Sequence, residues 1–168
     1  MPDRSAHRRP HARIDMDSGD PNPTATRLVE GVWNKIDTEQ TTEVFLATFA
    51  AIPRHHGLLY AVWRCDEEVC NGGFHQFFDN NAGMLTDEAI DGFIAIGLPQ
   101  LANLVVQAKT KLSASDTRDF VARWAALEDL PKDSFAELDH KYYELRPVEG
   151  GGFEAAIEKF AKMAPTSE

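Results

Sequence analysis

Between Glu68 and Asn80 the chain reads Glu-Val-Cys-Asn-Gly-Gly-Phe-His-Gln-Phe-Phe-Asp-Asn, a stretch dense in groups capable of chemistry. Glu68, one of its two carboxylates with Asp79, shares these residues with three side-chain amides, Asn71, Gln76 and Asn80. A carboxylate beside amide donors could serve as a general acid or base over a bound ligand. A hydrolase or small-ligand site centred on Glu68 is therefore one reading, though the stretch offers it no nucleophile, metal set or phosphate loop. The other reading is structural. A helix that ends at Asn71 leaves carbonyls without partners, and Gly72 or Gly73 can take the left-handed conformation that satisfies them. Glu68, Asn71, Gln76 and Asn80 would then hydrogen-bond the exposed backbone of the turn. This reading uses every polar residue of the stretch, and it predicts a positive φ at one of the two glycines. Phe74, Phe77 and Phe78 follow at i, i+3 and i+4, so one turn of helix presents the three rings together. They are expected in the core, with Trp63 and a helix over Leu101–Leu112.

Other constellations are thinner. Glu137 and His140 form half of a di-iron carboxylate pattern, which needs a second such pair and two further Glu on facing helices. Beside Lys141, they read more simply as a solvated face. His55, His56, Cys65, Cys70 and His75 contain no C-x-x-C pair of the kind that holds zinc. Cys65 and Cys70 point about 140° apart on a helix and so cannot bond without breaking it. No metal or cofactor is expected.

Charge supplies the next signal. From Cys65 to Ala108 the chain carries seven carboxylates, Asp66, Glu67, Glu68, Asp79, Asp87, Glu88 and Asp91, and no Lys or Arg. On a helix, Asp87, Glu88 and Asp91 fall within about a 100° arc, opposite Ala89, Ile90 and Phe93. Glu67, Asp79, Asp87, Glu88 and Asp91 are the candidate partner-binding residues, expected to form one exposed, unopposed negative face. Asp66 instead points into an apolar stripe of Leu59, Val62, Trp63, Val69 and Cys70. It requires a buried partner, or the helix must distort there.

The elements that position these residues read as helices. At 168 residues, with 43% hydrophobic content, the chain is long enough for one domain with its own core. After residue 24 the 3.6 period runs almost throughout. Helices are expected from Leu28 to Ile36, roughly over 41–52 and 54–70, over 86–97, and from Pro99 to Leu112. Ser113 or Ser115 is expected to cap a further helix with Phe120, Val121, Trp124 and Leu127 facing inward, and Ser134 with Glu137 has capping-box spacing. Gly150–Gly152 precede a last helix bearing Phe153, Ile157 and Phe160. The fold class expected is all-α, one compact domain of seven or eight helices over 24–164, with tails at 1–23 and 165–168. Residues 1–13 hold four Arg and one Asp, and Met16 is a plausible second start.

The net charge of −10 disfavours direct contact with nucleic acid or an anionic membrane, which are themselves negative. No run approaches the roughly 20 apolar residues of a membrane span, and no apolar signal segment opens the chain. A cytoplasmic protein with reduced thiols follows.

The string Glu-x-x-Asn-Gly-Gly-Phe-x-Gln-Phe-Phe-x-Asn at Glu68–Asn80 resembles the signature of a bacterial family named for a DNA-mimic protein. Ala95-Ile96-Gly97-Leu98-Pro99 and Leu138-Asp139-His140-Lys141-Tyr142-Tyr143-Glu144-Leu145 match the same pattern in order. The likeness spans about residues 28–160. It implies an all-helical domain that acts by binding a basic DNA-binding protein such as a transcriptional repressor, and it leaves a homodimer open. A decoy of this kind must hold exposed carboxylates on rigid helices, because duplex DNA presents about one negative charge per 1.7 Å of axis. The basic leader departs from that requirement. An immunity or antitoxin-like protein that neutralises a toxin through an acidic face is the alternative reading.

Overall fold

The structure, a computed structural model, describes residues 23–36 and 41–164. Among these the chain forms eight α-helices and no strand, the all-α architecture that the periodicity predicts. They are α1 Thr24–Trp33, α2 Thr42–Ala50, α3 Arg54–Asp79, α4 Thr86–Ala95, α5 Pro99–Leu112, α6 Phe120–Glu128, α7 Ala136–Leu145 and α8 Phe153–Ala161. Short 3₁₀ segments over Asn81–Leu85 and Glu149–Gly151 join α3 to α4 and α7 to α8. The expected tails at 1–23 and 165–168, and Met16, lie outside the described residues apart from Pro23. No described helix is long and apolar enough to cross a membrane.

Helix α3 is the centre of the fold, and α1, α4, α6, α7 and α8 all pack on it. Leu59, Ala61, Val62, Cys65 and Val69 are almost fully buried along its first part. Phe74, Phe77 and Phe78 are fully buried along its last turns. The rings do not pair with Trp63, which meets Trp33 edge-on instead. Phe74 and Phe78 meet Phe135, and Phe74 also meets Tyr142 of α7, at centroid distances of 5.7–6.4 Å, while Phe77 meets Phe78. Sequence order hides this, because α7 comes more than fifty residues later.

Several helix starts are closed by carboxylates from distant elements. The first amides of a helix have no intrahelical acceptor and sit at the positive end of its dipole. Glu149 accepts from the amides of Gln100 and Leu101 at the start of α5, at 2.7 and 2.9 Å. Glu158 accepts from Thr24 and Ala25 at the start of α1, at 3.2 and 2.9 Å. Burial works against the Glu158 anion, but these amides and Lys162 hold its carboxyl below the usual range.

Two expected serine caps are absent. The C-cap of α5 is Ser113, in the left-handed conformation with φ 55°, and Asp119 caps α6 by accepting from the amides of Val121 and Ala122. At α7 the N-cap is Phe135, which offers no side-chain bond. Glu137 there pairs with Lys141 at 2.7 Å rather than reaching back to Ser134.

Candidate functional site

The corner at Glu68–Asn80 is a kink inside α3. Gly72 and Gly73 leave helical dihedrals, and Gly73 takes φ 73°, the positive value expected. A side chain at Gly73 would also run into the Asp139 carboxylate. That carboxylate accepts from the Phe74 amide at 2.8 Å and thereby caps the helix that restarts after the kink. Burial raises the Asp139 carboxyl, while the Phe74 amide opposes the shift.

Glu68 is buried and fully engaged. Arg64 donates to one oxygen at 2.8 Å, and the amides of Gln76 and Asn80 donate to the other at 2.8 and 2.7 Å. Arg64 lies before the kink and the two amides after it, so the carboxylate ties the halves of α3 together. The amides therefore bond Glu68, not the turn backbone as expected. Asn71 is exposed and stands outside this cluster. The Arg64 guanidinium is itself held over the Trp33 ring, 4.8 Å from its centroid. What this arrangement does chemically is fix an angle. Both oxygens of Glu68 are already held by donors of this cluster, the role the structural reading assigns it.

Asp66 receives the buried partners its position demands. Arg146 donates from Nε and Nη2 to its two oxygens at 2.7 and 2.8 Å, and the Tyr142 hydroxyl donates at 2.9 Å. Burial pushes the Asp66 carboxyl up, and Arg146 pulls against that rise. Nearby, burial and then Asp66 push the Cys70 thiol up to about 12, so it stays protonated at neutral pH. Cys65 and Cys70 are both free.

The expected unopposed face on α4 does not exist. Asp87 pairs with Lys109 at 2.6 Å, Glu88 with Arg118 at 2.5 Å and Asp91 with Arg54 at 3.3 Å, while Glu67 pairs with Arg64. The basic residues lie just outside the base-free stretch: Arg64 precedes Cys65 and Lys109 follows Ala108. Packing of α4 against α3 and α5 brings Arg54 and Lys109 to its carboxylates, and the segment before α6 brings Arg118. Asp87 and Asp91 remain more than half exposed, but Glu88 retains only 22% of its side-chain surface. Of the five candidate partner-binding residues, Asp79 alone is in no ion pair with a described residue.

Asp79 belongs to a different neighbourhood. Arg123 on α6 is fully buried, and its guanidinium donates to three carbonyls: Phe78 at 2.9 Å, Thr117 at 2.6 Å and Asn80 at 3.2 Å. It thus closes the C-terminal end of α3 and clamps the approach to α6. Burial lowers its pKa, and the surrounding carboxylates of Asp119, Asp79 and Asp116 oppose that shift. Anchoring through Arg123 also sets the rotation of α6, which buries Arg123 and Leu127. Val121 and Trp124, expected to face inward, are turned out, 69% and 44% exposed. A basic residue among apolar ones was the signal that could have revealed this rotation.

A family model described as DMP19-like protein matches residues 50–163, a span that contains the kink, Arg123 and α7. No curated protein and no solved structure matches the chain.

Proposed function

Since the chain belongs to the DMP19-like protein family, we propose that it is a cytoplasmic binding protein, not an enzyme, and occupies the DNA-binding surface of a basic partner. The observation that carries this reading is the distribution of uncompensated charge. The chain has a net charge of −10, and two sets of its acids stand in contrast. Asp66, Glu67 and Glu68 on α3 and the three acids of α4 are matched by cations. Asp79 at the end of α3, Asp116 and Asp119 just before α6, and Glu128 and Asp129 at its C-terminal end are in no ion pair with a described residue. Rigid helices carrying unneutralised carboxylates offer a DNA-binding protein what a phosphate backbone offers, a fixed array of anions that draws in its Lys and Arg.

Calorimetric titration against a purified basic DNA-binding domain at several salt concentrations tests this reading. Binding that weakens steeply with added salt supports it. Binding indifferent to salt, or none to any such domain, defeats it.

A further inference from the structure

We propose that the outward face of α6 is the docking surface, with Trp124 as its anchor, for an arginine-bearing surface of a DNA-binding protein. The proposal rests on the binding reading above and gives it an address. Helix α6 buries Arg123 and Leu127 against the body and packs Ala126 on the core. On its outward face Val121 and Trp124 lie at i and i+3 and stand 69% and 44% exposed. Tryptophan is a residue that anchors interfaces when a partner desolvates it. A separate open groove of about 480 Å³ lies between α6 and the end of α5, lined by Leu112, Ala122, Ala126, Leu130, Asp129 and Lys111, on the flank of α6 away from Trp124.

The charge around this apolar face identifies the occupant. Asp116 and Asp119 stand at the N-terminal side of α6, Asp79 beside them around Arg123, and Glu128 and Asp129 at the C-terminal side. Of the nearby cations, Arg118 is taken by Glu88 and Arg123 is buried and bonded to carbonyls, which leaves Lys111 and Lys132 exposed against these five carboxylates. On a helix, Trp124 and Glu128 at i and i+4 lie about 5–6 Å apart at Cβ. A guanidinium stacked on the Trp124 ring therefore reaches the Glu128 carboxylate, combining a cation–π contact with a charge-assisted hydrogen bond. Arginine suits this pairing better than lysine, since its planar group stacks and bridges at once. Arginine is also a residue that DNA-binding surfaces present to phosphates.

Titrations of full-length chains against purified basic DNA-binding domains, one domain at a time, decide the matter. Val121→Ser with Trp124→Ser, and separately Glu128→Lys with Asp129→Lys, are compared with Asp87→Lys with Asp91→Lys on α4. All six positions are at the surface, and circular dichroism with thermal melting verifies that each variant keeps its fold. We expect both α6 pairs to weaken binding at least tenfold and the α4 pair to change it less than twofold. If the α4 pair weakens binding and the α6 pairs do not, this inference is overturned while the binding reading survives. If no domain binds the unaltered chain, the binding reading itself fails and takes this inference with it. If sedimentation shows a dimer that Val121→Ser with Trp124→Ser dissociates, the face is covered by a second copy, and the proposed occupant is wrong.

Discussion

The Asp139 carboxylate on α7 accepts a hydrogen bond from the Phe74 amide at 2.8 Å, across 65 residues of sequence. The amide is exposed to it because the backbone turns at Gly73 with φ 73°, and because glycine leaves room for the carboxylate. One missing side chain thus permits both the kink in α3 and the cap that stabilises its restart. The kink in turn aims Phe74 at Phe135 and Tyr142 and Phe78 at Phe135, with Phe77 packed on Phe78.

Gly73→Val should therefore cost more than about 1 kcal/mol from backbone strain alone, before any displacement of Asp139 is counted. Asp139→Ala should cost about 1 kcal/mol, the usual loss of a helix cap. Urea denaturation measures both. A Gly73→Val protein as stable as the parent contradicts this view of the corner.

Phe77 is fully buried among aromatic neighbours, its ring 5.1 Å from that of Phe78. Phe77→Ala should cost roughly 3–5 kcal/mol through lost apolar burial and the cavity left behind. A loss under 1 kcal/mol in the same denaturation experiment would mean that the site collapses around the gap.

Arg146 neutralises Asp66 in the core and also reaches Glu154 at 2.7 Å. Arg146→Met should cost about 3–5 kcal/mol, because it strands a buried carboxylate. Asp66→Asn added to Arg146→Met should recover a large part of that loss, since no charge then remains to be solvated. Equal stability of the single and double variants would show that packing, not charge, dominates here.

His55 stacks on Phe160 at 4.1 Å, and its Nε2 is buried with no hydrogen-bond partner among the described residues. Burial, with His56 adding to it, lowers its pKa below the ordinary 6.5. The unfolded chain therefore takes up this proton first. The contribution of His55 is fully present above about pH 6.5 and is lost as pH falls through the lower folded value. Melting temperature should drop between pH 7 and 5 in the parent and drop less in His55→Phe. Parallel profiles would remove His55 as the cause.

The helical class, the glycine corner and the burial of its aromatic trio were legible from spacing, because each depends on residues a few positions apart. The need of Asp66 for a partner was legible too, though Arg146 and Tyr142 could not be identified. The charged face was not. Its carboxylates are cancelled by Arg54, Arg64, Lys109 and Arg118; the Arg64–Glu67 pair is local, at i and i+3 on α3, but only tertiary packing brings the other three cations to α4. The rotation of α6 was lost for a similar reason. Apolar periodicity turned Val121 and Trp124 inward, whereas three carbonyls at the ends of other segments capture Arg123 and turn them out.

Fluorescence anisotropy of a labelled duplex bound to a purified basic DNA-binding domain tests the central claim most directly. Adding this protein at fixed salt should return the anisotropy to that of free duplex. Anisotropy that rises instead, as protein joins the duplex-bound domain, or that stays constant at saturating protein, would contradict occupation of the DNA-binding surface.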